Sequence, residues 1–287
     1  MSEKLIDFTV GADPEFVCVD HRGRLVYACD MVSEEEGTEL GADGNHKSFE
    51  VRPAPSKNPL QLVANMHDIF VRQTLEQPEF LKLDWKAGSY VEGLPIGGHV
   101  HFGITNRQID HLCACTFLDN YVGVVSLLLE DIEGGKRRRY DDYGLPDAQS
   151  KLRAQPWGFE YRVMSSWLSS PYVSAALLCL SKTVMYEAVN NPNFKWHKFA
   201  QRNFFAEMKQ DRVLEKFPKI WADIVKMQLY QEYKPYIDLI YFLVRNRLTW
   251  FPAKKMKESW GVVNMQPCIT NKIGMDIIWS RYNQEET

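Results

Sequence analysis

The chain has 287 residues, enough for one large domain or two small ones. Hydrophobic residues make up 45% and charged residues 25%, the balance of a globular protein with a sizeable core. A formal net charge of −3 excludes a global attraction to nucleic acid or anionic membrane and leaves only local basic patches.

The N-terminal "MSEKLIDF" lacks the continuous apolar region and small-residue cleavage site of a signal peptide. "GADPEFVCVD" follows, a strand of Phe16, Val17, Cys18 and Val19 with Asp13 and Glu15 at its mouth and Pro14 between them. "EFVCVD" and "RLVYA" flank "HRG", which predicts a hairpin turning at Gly23. "KSFEVRPAP" reads as a further strand that stops at its prolines. Ser56 is the expected N-cap of an amphipathic helix over about 58–76, with Leu60, Val63, Met66, Ile69 and Phe70 at helical spacing.

"KLDWKAGSYV" predicts another strand, and "GGHVHFGI" a short one launched by two glycines. From Asn106 to Glu133 the pattern is helical. Its greasiest part, "VGVVSLLLE", is cut short by Glu130, so no run is expected to cross a bilayer. "EGGKRRRYDDYGLPDAQSKLRAQPWG" reads as a long polar loop, its basic run from Lys136 to Arg139 either a solvated surface or a segment closing over phosphates. "FEYRVMSSWL" is a strand, and from Pro171 almost to Phe251 the chain is helical. The tail from Trp260 has no clear pattern. The six cysteines, at 18, 29, 113, 115, 179 and 268, lack the paired spacing of a zinc site and are expected to be buried free thiols in a reducing compartment.

Side chains at i and i+2 of a strand share a face. Four strand segments carry an ionisable pair at that spacing: Asp13/Glu15, Glu50/Arg52, His99/His101 and Glu160/Arg162. In one sheet they would gather acids, imidazoles and guanidinium groups on one surface, where burial demands a partner. Carboxylates with imidazoles suit Mg²⁺ or Mn²⁺. Arginines suit phosphate, and the combination suits phosphoryl transfer. Taken singly, each pair also reads as a turn opener or a cross-strand ion pair; the signal is that four occur. "GADGNHKS" lacks the glycine before the lysine of a phosphate-binding loop, and Asp43 within it is instead an extra acid near Glu50.

These motifs resemble the glutamine synthetase and glutamate–cysteine ligase superfamily, and most nearly its phage-type carboxylate–amine ligase group. "GADPEF", "FEVRPAPS", "GGHVHFG" and "GFEYR" stand in that group's order, over about residues 9–168. The resemblance implies an α+β, glutamine-synthetase-like catalytic domain over 1–287. Its metal- and ATP-binding portion, mainly antiparallel sheet with packed helices, would be 1–168, and its mostly helical portion 169–287. It implies an ATP-dependent ligase that joins a carboxylate substrate to an amine substrate through an acyl phosphate, with Mg²⁺ or Mn²⁺. Glu15 and Glu50 would hold the metal nearer the substrate, and Asp13, His99 and Glu160 the metal bridging the ATP phosphates. His101, Arg153 and Arg162 would contact phosphate, with Arg52 and Arg139 as weaker counterparts, and Asp43 would accept the amine's proton. Asp13 stands where glutamine synthetase has a glutamate, one methylene longer. A cytoplasmic setting is implied, the host cytoplasm if the gene is a phage's, with no membrane and no strong nucleic-acid signal; a homo-oligomer is compatible. The alternatives are a metal-dependent phosphotransferase of the guanidino-kinase-like type and a decayed nucleotide-binding protein.

Overall fold

The structure is a computed structural model, described here for residues 5–33, 35, 37–105, 107–138, 144–146, 151–249 and 256–263. Eleven strands occur among them. The first six are β1 (Thr9–Ala12), β2 (Glu15–Val19), β3 (Leu25–Val26), β4 (Leu40–Ala42), β5 (Phe49–Val51) and β6 (Asp84–Lys86). The rest are β7 (Tyr90–Val91), β8 (Leu94–Pro95), β9 (Val100–Gly103), β10 (Leu152–Gln155) and β11 (Gly158–Tyr161). One antiparallel sheet runs β1-β9-β11-β10. A second runs β3-β2-β5-β4, with β6 also on β2, and β7 and β8 form a small hairpin.

The four ionisable pairs therefore do not share one sheet. β1 and β2 are one stretch of chain that steps from the first sheet to the second at Asp13 and Pro14. Pro14 has no N–H to give, but its carbonyl accepts from Val51 N at 3.1 Å, and Glu15 N donates to Gly97 O at 2.9 Å. Pro14 thus sits at a crossover between sheets and not on an edge strand, which is where a residue without a donor does least harm. Asp13 and Glu15 are consequently aimed into two adjoining parts of one surface.

Helix α1 (Pro59–Glu76) covers the second sheet. Its cap is Asn58, whose side chain accepts from Leu60 N; Ser56 instead exchanges both backbone hydrogen bonds with Val10 and shields the edge of β1. Phe16, Phe49, Phe70, Phe80 and Trp85 pack ring against ring between α1 and the sheet at centroid separations of 5.1–6.1 Å. The stretch His111–Leu129 is helical throughout but broken in kind. It comprises α2 (His111–Leu118), a π-helical turn over Asp119–Gly123, and α3 (Val124–Leu129). This stretch is long and apolar enough to cross a membrane, contrary to the sequence expectation, yet most of it is buried inside the protein as a core helix is.

The expected long loop contains structure: α4 (Gly134–Arg137) and all of β10. The strand expected over "FEYRVMSSWL" ends at Tyr161. Helix α5 (Pro171–Asn190), capped by Ser170 and opened by Pro171, is buried nearly all round because it packs on α1, on α2 and on a later helix. Four helices follow: α6 (Arg202–Ala206), α7 (Gln210–Leu214), α8 (Phe217–Ile224) and α9 (Tyr230–Arg245), the last against α5. A short α10 (Met256–Ser259) returns to β6. One hydrophobic core runs from Phe8 to Val262 through both portions. Cys18, Cys115 and Cys179 are buried free thiols as expected; Cys113 is exposed, and Cys268 lies outside the described residues.

Candidate active site

The antiparallel register of the first sheet sets Gly11, His101, Glu160 and Arg153 in one row across four strands. Directly opposed residues project to the same face, so this row is a single line of side chains. Gly11 contributes space: a Cβ there would lie 3.3 Å from the His101 Cβ, close enough that the imidazole would have to give by a few tenths of an ångström. His99, two residues before His101, joins the same face.

Asp13, at the step between sheets, reaches both imidazoles. His99 Nδ1 is 3.1 Å from Asp13 Oδ1 and also 3.1 Å from Glu160 Oε1, and His101 Nε2 is 3.2 Å from Asp13 Oδ2. Glu160 Oε1 also meets Arg162 Nε at 3.0 Å, and its Oε2 meets Arg153 Nη1 at 3.1 Å. Burial by itself would raise both carboxyls. The two imidazoles outweigh it at Asp13, and His99 with Arg153 at Glu160, so both are held below the ordinary carboxylate range.

Arg153 donates a hydrogen bond to Glu160 Oε2, whereas the contacts of Asp13 with the two imidazoles, and of Glu160 Oε1 with His99 and Arg162, are at salt-bridge distance without hydrogen-bond geometry. Asp13 Oδ1, His101 Nε2 and Glu160 Oε1 are buried atoms with no hydrogen-bond partner among the described residues. Ligand atoms of Asp13, His101 and Glu160 fall within 4.8 Å of one another. Two carboxylate oxygens and an imidazole nitrogen, aimed at one point and poorly satisfied by each other, fit a hard divalent cation such as Mg²⁺ or Mn²⁺.

The second sheet carries a second row. Glu15, Glu50 and Gly41 are aligned across β2, β5 and β4. Here the neighbours are acids. Burial, with Asp43 and Glu50 as like charges, pushes the Glu15 carboxyl up to about 8 despite His99. Burial, with Asp13 and Asp43, pushes Glu50 up to about 8 despite Arg52. Arg52 turns into the sheet: its guanidinium donates to Glu50 and to the Ala42 carbonyl at 3.2 Å. Asp43 is half-buried and accepts from the Asn45 side chain at 2.7 Å.

Beside His101 lies a cavity of about 290 Å³, lined by Thr9, Gly11, Pro53, Pro55, Gly103 and Trp157 together with His101. Trp157 tops the turn between β10 and β11, is 43% exposed, and lies 5.4 Å from the His101 ring. Sequence reasoning missed Trp157 because "QPWG" reads as loop. The signal was available in its position, between Arg153 and Glu160.

The basic run was misread. Arg137 is fully buried and donates to the carbonyls of Arg162, Val163 and Met164 at 2.9–3.3 Å, holding the chain just after β11. Arg138 is buried against Glu130 at 2.7 Å and donates to the Gly144 carbonyl. Neither is a surface or phosphate-facing cation; among the described residues of the run only Lys136 is exposed, beside Glu133. Arg139 lies outside the described residues.

The chain matches the family model described as phage phiEco32-like COOH·NH2 ligase type 2 over residues 10–262. No curated protein matches it in sequence. Its fold is similar to that of the ligase PafA, solved in complex with the prokaryotic ubiquitin-like protein Pup, at 11% identity and a TM-score of 0.60 over 84% of this chain and 64% of that one. A bifunctional glutathione synthetase from Pasteurella multocida is similar at 11% identity and a TM-score of 0.51, over 89% of this chain and 51% of that one. The chain thus spans less than two thirds of the length of either.

Proposed function

The chain belongs to the phage phiEco32-like COOH·NH2 ligase type 2 family, and we propose that it is an ATP-dependent ligase joining a carboxylate to an amine through an acyl phosphate. The observation that carries this reading is the cluster of Asp13, His99, His101 and Glu160, with Arg153 and Arg162 against Glu160, within a chain that matches the family over residues 10–262.

A carboxylate is a poor acyl donor because oxide would have to leave. In the proposed reaction the substrate carboxylate oxygen attacks the γ-phosphorus of ATP and the bond to the bridging oxygen breaks, releasing ADP. The amine nitrogen then attacks the acyl carbon, inorganic phosphate leaves, and the amide forms. Asp13, His101 and Glu160, with His99 lying against both carboxyls, would hold one divalent cation, and Glu15 and Glu50 a second nearer the substrate. Bound there, the cations would neutralise phosphate charge and polarise the transferring group.

The chain's own groups do the rest. Arg153, whose side chain is 53% exposed, is free to turn from Glu160 to a phosphoryl oxygen, and Arg162 backs it from the buried side. His101 lies between the carboxylate cluster and the cavity, so a cation it helps to hold would face the phosphates of a nucleotide bound there. The cavity between Trp157 and the prolines has the flat, apolar walls that suit a purine base. Asp43, the more accessible acid beside Glu15 and Glu50, would take the proton shed by the amine. The carboxylate and amine partners are small molecules or polypeptide groups reaching this surface. Both portions of the chain would act as one catalytic domain, since they share one core.

The test is turnover of ATP with acid and amine mixtures. ADP and phosphate are expected only when an acid, an amine and Mg²⁺ or Mn²⁺ are all present, with amide detected by mass spectrometry. Glu160→Gln should lower turnover by about 10³-fold or more, because it removes an anionic ligand and unbalances two arginines. Near-normal turnover in Glu160→Gln would sink the site assignment. A stable phosphorylated acid without amide would point to a phosphotransferase.

A further inference from the structure

The β10–β11 hairpin carries Arg153 and Glu160 on one face, and a single buried carboxylate ties down its other face. Asp119 is 3% exposed. Its Oδ1 accepts from the Tyr161 hydroxyl at 2.9 Å, and its Oδ2 from Lys151 Nζ at 2.9 Å. Tyr161 stands between Glu160 and Arg162, and the Lys151 carbonyl accepts from Arg162 N at 2.9 Å. Asp119 therefore holds the base of the hairpin from both strands at once.

The local backbone is built for this. Asp119 opens the π-helical turn Asp119–Gly123, where one widened turn interrupts an otherwise α-helical stretch. At its far end Gly123 leaves room for the Tyr161 hydroxyl: a Cβ there would lie 2.8 Å from that oxygen. The two residues after Asp119 anchor the same turn to the helical portion. Asn120 Oδ1 accepts from Ala200 N at 2.9 Å, and the Tyr121 hydroxyl donates to Asp223 at 2.9 Å. Three successive side chains thus commit buried polar groups to three separate parts of the chain: the β10–β11 hairpin, the segment before α6, and α8. A regular helix with an apolar residue at 119 would bury the same surface without a charge, so the carboxylate has work that packing alone does not explain.

We infer that Asp119, through Tyr161 and Lys151, is the positioning residue that sets Glu160, Arg153 and Arg162 in the geometry of the site. This rests on the reading of that site as a divalent-cation and phosphoryl-transfer centre. Positioning groups one step removed from metal ligands typically affect affinity or activity by about 10- to 100-fold.

The test separates positioning from folding. Asp119→Asn alone leaves the Lys151 ammonium buried without its anion, a change that confounds positioning with folding, so two gentler variants carry the experiment. Tyr161→Phe removes only the hydroxyl. Asp119→Asn combined with Lys151→Met removes both charges together. Mn²⁺ binding is read by electron paramagnetic resonance without ATP or turnover, alongside melting temperature and amide hydrogen exchange of residues 152–161. Both variants are expected to melt near the wild-type temperature, to bind Mn²⁺ about tenfold more weakly, and to exchange faster in the hairpin. Where turnover is measurable, kcat should fall more than KM for ATP rises. Variants that fold and bind Mn²⁺ with wild-type affinity would overturn the inference. Wild-type protein that binds no Mn²⁺ would instead overturn the metal reading, and hairpin exchange then decides alone: unchanged protection in Tyr161→Phe overturns the positioning role.

Discussion

Asp13 and Glu160 face His99, His101 and two guanidinium groups, whereas Glu15 and Glu50 face each other and Asp43. All four carboxyls are largely buried, and burial pushes each of them the same way. The outcome is opposite. The first pair is held ionised, and the second is pushed up to about 8. Burial sets the size of the penalty here, and the neighbours decide its sign. A cation entering beside Asp13 and Glu160 meets charges already formed. A cation entering beside Glu15 and Glu50 must displace protons, so its binding is linked to pH.

The sharpest way to break this contrast is to neutralise one acid of each kind. Asp13→Asn leaves His101 without its anion and His99 with Glu160 alone, and the metal-free protein should lose on the order of 3 kcal/mol of stability. Glu15→Gln removes a buried acid that is poorly accommodated as an anion, so at pH 8 the metal-free protein should melt no lower than wild type. Both variants should lose turnover by orders of magnitude. Thermal unfolding in the presence of a chelator checks the stability half; a drop of equal size in both variants would erase the distinction between the two rows.

A smaller effect comes from pH alone. Glu15 and Glu50 have an ordinary value of 4.5 and stand at about 8 in the fold. Between these values the folded protein keeps protons that the unfolded chain has shed. The stability they contribute is therefore fully present below about pH 4.5 and is lost as pH rises through about 8. Metal-free protein should melt at progressively lower temperature from pH 6 to 8.5, and Mg²⁺ should restore more of the loss at the alkaline end. Glu15→Gln should flatten this dependence. A melting temperature that rises over the same interval would contradict the assignment for the second row.

What the sequence made legible follows from strand periodicity. The i, i+2 rule identified Asp13/Glu15, His99/His101 and Glu160/Arg162 because each pair lies in or beside a short strand whose period of two survives any tertiary arrangement. The same rule could not say that the strands form two sheets, since one Asp–Pro step decides that and its effect is on backbone direction. The reading of the basic run failed on Arg137 and Arg138. Charged residues in a run read as solvent-facing, and only the fold shows three carbonyls converging on one guanidinium. Asp119 was invisible for a related reason: an acid in a greasy helix has no sequence signature for a partner 32 or 42 residues away. The helix boundaries were nearly right over α1, where the apolar stripe is regular, and the capping residue was off by two.

The smallest predicted effect concerns the rim where the first row meets the cavity. Trp157 is 43% exposed, so its indole adds little to the core, and Trp157→Ala should leave the melting temperature close to wild type. If the indole stacks on the nucleotide base, its loss removes an aromatic contact of about 1–3 kcal/mol, and KM for ATP should rise about tenfold with kcat changed far less. Trp157→Phe should recover most of that loss, because a smaller ring still offers a face. The two variants also separate the rows from the cavity. In the proposed site Mn²⁺ affinity would depend on Asp13, His101 and Glu160 and should be untouched by either change, so a Trp157→Ala variant that loses Mn²⁺ but keeps its KM for ATP would mean that the indole supports His101 and does not meet the base.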